Sequence, residues 1–276
     1  MKRKISNWFS ISMACAMALA SFILTSCGTL PEDGNGKSGS SKEFSVEEAF
    51  KMVAKENDVA RTLYTKAIVG AGKKQGLKFD ENWEKDDVMA GPLPALFLRG
   101  ISADIQQKGV VPLGLYLGSD FPVRKSNKFA GKQDELFQKI RQDTVAKFFY
   151  DKESTVYTAM FPDFAVAPAC VSCHNNHPET MKSDWKMGDI MGATTWTYPK
   201  DSLSFEEVKA ILLAYRMGAV STYNKYLKKA QSFPEVPEIG SKWPSKGYYL
   251  PTAEVFIDSV AELASVKTLN SLLKTN

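Results

Sequence analysis

Histidine is scarce in this chain of 276 residues: there are two, His174 and His177, and both follow a Cys-x-x-Cys pair. That scarcity leaves no Ser-His-Asp triad unless His177 serves it, and nothing in the sequence around His177 points to one. Acidic residues are missing before Glu32, and any charge is missing from Ile5 to Thr25. Lys2, Arg3 and Lys4 supply three of the formal +4 charges, so the rest of the chain is close to neutral. A clustered basic face is what nucleic-acid binding requires, and its absence excludes that class of partner. There is no internal repeat, and no kinase, cyclase or methyl-accepting segment.

What the N-terminus does contain is a targeting pattern. MKRK is a positive leader, followed by a small, apolar, uncharged stretch. About 20 such residues can span a bilayer, so an uncleaved anchor is one reading and a plain secretory signal another. Asn7, Ser10, Ser12 and Ser21 dilute the stretch, and Leu24-Thr25-Ser26-Cys27 resembles a bacterial lipobox. The preferred reading is a lipoprotein signal over 1–26, with Cys15 discarded and Cys27 acylated. Gly28 follows the lipid site, which favours the outer membrane, with the inner membrane as the alternative. Residues 27–43 contain PEDGNGKSGSSK, a Gly/Ser-rich tether that cannot bury enough apolar surface to fold.

The length suits one large domain or two small ones. Ser45-Val-Glu-Glu48 is a capping box, and Val46, Ala49, Phe50, Val53 and Ala54 carry helical spacing on towards Gly70–Gly72. Pro94 suits the first turn of a short helix with Leu96, Phe97 and Leu98. Strands are expected at 110–117, 147–150, 155–161 and 191–198, and a helix at 133–142. Ser204-Phe-Glu-Glu207 opens another helix, and a last one runs from about Thr252 to Leu273. Helices around antiparallel strands give an α+β fold rather than βαβ alternation.

Cys170-Val-Ser-Cys173-His174 is the attachment pattern of c-type haem. Two sulfurs form thioethers to the two vinyl groups, and the chain loops between them. His174 then lies under the ring as the axial ligand of the iron. Three rivals exist. A thioredoxin-type pair needs a strand-to-helix turn in a βαβ setting, and Ala167-Pro168-Ala169 does not suggest one. A structural disulfide leaves His174 without a role. Zinc on Cys170, Cys173, His174 and His177 would require one short loop to supply all four ligands, whereas such sites draw on separated segments. Haem c, one per chain and covalent, is preferred, and export agrees with it.

The sixth position stays open. His177 is on the same side of the ring and is followed by Pro178, so it is read as supporting the site through a loop carbonyl or a propionate rather than binding iron. Met89, Met160, Met181, Met187 and Met191 are candidates, each with core filling as its commoner fate. Phe161, Phe164, Trp185 and Trp196 are candidate walls of the haem, and Arg124, Lys125 and Lys128 candidate partners of its propionates. After processing no cysteine is left over.

ACVSCHNNHPETMKSDWKMGDIMGATTWTYP resembles the Tll-like haem c domain family, periplasmic single-haem proteins with a PAS-like fold. AGPLPALFLRG from Ala90 and LGLYLGSDFPVRKSNKF from Leu113 resemble its upstream blocks. The resemblance implies a central antiparallel sheet with flanking helices, a PAS-like haem domain over 44–235, and a helical extension over 236–276. It also implies a role in redox or diatomic-gas sensing through a periplasmic redox or signalling partner. Some relatives carry a distal cysteine ligand on the first long helix. This chain has Ala60-Arg-Thr-Leu-Tyr64 there, so that ligand does not carry over; Tyr64 is near the place but is not assigned. An electron-transfer cytochrome with a strong sixth ligand, methionine, is the alternative, and a peroxidase-like enzyme a weaker one.

Overall fold

The computed structural model describes residues 43–241, 243 and 250–273. The expected signal segment, Cys27 and the tether up to residue 42 lie outside the described residues. In chain order the elements are β1 (Glu43–Ser45), α1 (Val46–Leu63), a π-helical stretch (Tyr64–Gly70), α2 (Ala71–Lys74), β2 (Phe79–Asp80), β3 (Gly91–Pro92), α3 (Pro94–Lys108) and β4 (Gly114–Gly118). There follow a 3-10 turn (Lys125–Asn127), α4 (Gly131–Asp143), β5 (Lys147–Asp151), β6 (Val156–Phe164), α5 (Pro168–Asn176), β7 (Ile190–Tyr198), β8 (Ser202–Ser204), α6 (Phe205–Ala230), β9 (Ile239–Gly240), β10 (Leu250–Pro251) and α7 (Ala253–Leu273).

Both capping boxes form. The Ser45 and Ser204 hydroxyls accept the N–H groups of Glu48 and Glu207 at 3.3 and 3.2 Å. Each glutamate in return accepts the serine N–H, at 2.8 and 2.9 Å. Two donors that a helix end would otherwise leave unpaired are thus satisfied. β1 pairs antiparallel with β8, which brings the two helix starts together.

A four-stranded antiparallel sheet in the order β4-β7-β6-β5 lies at the centre. Its alternation sorts side chains to two faces. Leu115, Trp196 and Ala159 lie in one row and join the large core beneath α1, α3, α6 and α7. Met160, Ala193 and Ile190 turn the other way and pack with Phe137 and Ile140 of α4. The fold is therefore α+β, as expected.

Three expected boundaries change. The helix from Pro94 is not short but fifteen residues long. It is held against α6 where Gly100 faces Thr222 and Gly218 faces Ile101. A Cβ at Gly100 would come within 2.4 Å of the threonine, so glycine is what lets these helices approach. The strand at 110–117 begins only at Gly114, after Pro112, which has no N–H for a ladder. The strand at 155 begins at Val156, because Thr155 is left-handed at φ 56°.

The C-terminal helix belongs to the main core. Phe256 of α7 lies against Tyr223 (4.9 Å) and edge-on to Tyr64 and Phe97 (6.5 and 5.8 Å).

Candidate haem site

The Cys-x-x-Cys-His stretch is a helix rather than a loop. Pro168 at its first turn has no N–H to leave unpaired and a φ already helical. Spacings of three and four residues put Cys170, Cys173 and His174 on one face of α5. This helix buries none of its residues. It sits in an excursion between β6 and β7 whose base is closed at Ala165: its N–H donates to Asp189 (2.9 Å), and its carbonyl accepts from Gly188 (3.1 Å). Gly188 is left-handed at φ 87°, a conformation that only glycine adopts freely. The Asp189 carboxylate accepts the Lys186 N–H at 2.8 Å, which fixes that turn.

Two contacts hold α5 to the returning chain. Asn175 accepts the Trp185 N–H at 2.9 Å and donates to the Trp185 carbonyl at 3.0 Å, so one side chain acts as a strand neighbour. Thr180 donates to the His174 carbonyl at 2.6 Å. Trp185 is buried with Ala165 and Met191, and Cys170 and Val171 pack on this small cluster. Arg141 and Lys182 lie over the Trp185 ring at 5.7 and 4.9 Å.

His174 Nδ1 is enclosed and has no hydrogen-bond partner among the described residues. Burial chiefly, then His177 and Arg61, hold this imidazole below its ordinary range, which favours the neutral form that can bind a metal. The two thiols are free, and burial followed by Glu81 pushes that of Cys173 up. Phe164 and Val166 before α5, and Met181 and Met187 after it, are exposed apolar side chains. Exposed apolar side chains in the segments flanking α5, with two free thiols and an imidazole on one face of it, suit a flat, covalently held macrocycle. The residues present therefore fit a haem. Among the described residues, no three Cys, His, Asp or Glu side chains converge on a bare metal ion.

His177 has both nitrogens engaged. Nδ1 accepts the Glu179 N–H at 3.1 Å and Nε2 faces Glu81 Oε2 at 3.2 Å. Its partners are thus a backbone amide and a carboxylate. Tyr64 is fully buried, stacked on Phe97 at 4.3 Å, with its hydroxyl donating to Pro92 at 2.7 Å. Met160 is enclosed in the α4 cluster. Met191 packs in the Trp185 cluster, and Met89, Met181 and Met187 are exposed.

Of the four aromatic walls, Trp185 alone shares a cluster with Cys170. Trp196 packs on Tyr215 in the main core and Phe161 meets Phe148 edge-on, because strand alternation turns both towards the helices; Phe164 is exposed. Arg124, Lys125 and Lys128 lie in the loop after β4, which folds back on Ser119. Arg61 and Lys73 act on the Cys170 and Cys173 thiols, and Arg141 and Lys182 lie over Trp185. Arg61 of α1 pairs with Asp163 of β6. Glu81, Asn175 and Arg61 were not foreseen. Asn175 adjoins the motif, but Glu81 is 96 residues from its partner and carries no local signal.

A family model described as "Tll0287-like: Tll0287" matches residues 41–199. No curated protein and no solved structure matches the chain significantly.

Proposed function

The chain belongs to the Tll0287-like family, and on that premise we propose that it carries one haem c as a periplasmic redox or diatomic-gas sensing module. The family itself suggests a haem-binding periplasmic domain. Cys170 and Cys173 are the covalent attachments and His174 the axial ligand. The observation that carries this reading is the single face of α5, with two free thiols and an imidazole whose enclosed Nδ1 has no partner among the described residues. Bound there, haem supplies a one-electron iron couple and a position for a small ligand.

The protein's own residues do the holding. Asn175 and Thr180 fix α5 to the returning chain, and Trp185 packs behind Cys170. His177 is occupied by Glu81, which leaves iron to His174. The withdrawal of Tyr64 and Met160 into the cores favours sensing over a strongly ligated carrier. The exposed Met181 and Met187, in the segment that follows α5, favour the second reading, an electron-transfer cytochrome. Acylation at Cys27 anchors the domain, facing the periplasm from the outer membrane, with residues 27–43 as the tether. Any signal passes to a separate redox or signalling protein.

The test is a visible spectrum of the ferrous protein, matured in a c-haem-loading periplasm, before and after carbon monoxide. A shift supports the sensing module. An unshifted low-spin spectrum moves the assignment to the carrier, and absence of covalent haem removes both. Cys27→Ala is expected to release the protein from membranes.

A further inference from the structure

Arg61 is a half-buried cation on α1 whose guanidinium donates to Asp163 of β6. Asp163 also accepts from Thr194 Oγ1 of β7 at 3.2 Å, so the pair is tied to two strands. It sits at the irregularity between Asp163 and Phe164, where β6 leaves the sheet and the chain turns towards α5. Both Cys170 and His174 lie in the field of Arg61, and burial is what most disfavours its charge. A structural link between α1 and the sheet needs no charge at this point, and a partly buried cation is costly unless it is paired.

We propose that the Arg61–Asp163 pair sets the reduction potential of the haem held at Cys170, Cys173 and His174, with Arg61 raising it and Asp163 holding that rise in check. This rests on the haem reading above. A positive charge close to iron favours the ferrous form, which carries one positive charge fewer, and the low-dielectric setting of the pair preserves the effect. Arg61 acts here as a tuning residue and touches no reacting atom.

The experiment is the midpoint potential of the haem-loaded full chain, read by spectroelectrochemistry. Arg61→Leu is expected to lower the potential, because Asp163 is then left as an uncompensated negative charge. Arg61→Lys is expected to keep most of the wild-type value. Asp163→Asn, nearly isosteric, is expected to raise it. Shifts of opposite sign from the two ends of one ion pair are what loosened packing would not give. Loaded variants at the wild-type potential, or shifts of the same sign, overturn the proposal. If Arg61→Leu does not load, Asp163→Asn decides alone: a rise supports the proposal, and no change or a fall overturns it. A wild-type chain without covalent haem overturns this and the haem reading together; unshifted potentials in a loaded chain overturn this one only.

Discussion

Burial, and next the Glu81 carboxylate, push the Cys173 thiol above its ordinary range, against the opposing pull of Lys73. The thiolate is the reactive form, so in the haem-free chain Cys173 should alkylate slowly at pH 8 and faster only at higher pH than an ordinary thiol. Glu81→Gln removes a negative charge across partly solvated space, worth a fraction of a kcal/mol. It should speed alkylation at pH 8 by about twofold. An unchanged rate would mean that Glu81 does not act on Cys173. At this scale the sequence is uneven. The proposed attachment residues are legible because thioether spacing is local chemistry written in five adjacent positions. Glu81 and Arg61 are illegible, since nothing nearby distinguishes one helix arginine or loop glutamate from its neighbours until the chain folds.

Among the elements, α5 is tied to the returning chain through Asn175. Asn175→Ala leaves both backbone groups of Trp185 unpaired in a largely enclosed place, which should cost about 1–3 kcal/mol. Urea unfolding of the haem-free chain measures it; a loss within error would mean that water replaces the amide without penalty. Ser204→Ala should cost about 1 kcal/mol through the lost cap of α6, measured in the same way. The caps were readable because Ser-x-x-Glu is itself the hydrogen-bonding pattern. The helicity of α5 was not, because a helix that buries no residue has no apolar period to show. The delayed start of β6 was equally hidden: a left-handed Thr155 leaves no mark in a β-branched run.

The whole molecule is larger than the part the family model matches. That match ends at residue 199, yet α6 and α7 supply Tyr215, Tyr223 and Phe256 to the same core as Tyr64 and Phe97. Phe256→Ala should cost about 3–5 kcal/mol in thermal or urea unfolding, since the ring contacts side chains of three other segments. A loss below about 1 kcal/mol would show that α7 is an appendage. The α+β class and the order of the main elements were legible from capping and periodicity. The small pairings β2–β3 and β9–β10 were not, being two residues long each. Both cores close without any side chain from α5. The sheet and its helices can therefore assemble first and the cofactor arrive afterwards, or the reverse. In the haem-free chain, the segment proposed to carry the haem is the one whose amides should exchange with solvent soonest, and thus the one most open to an enzyme that must grip it.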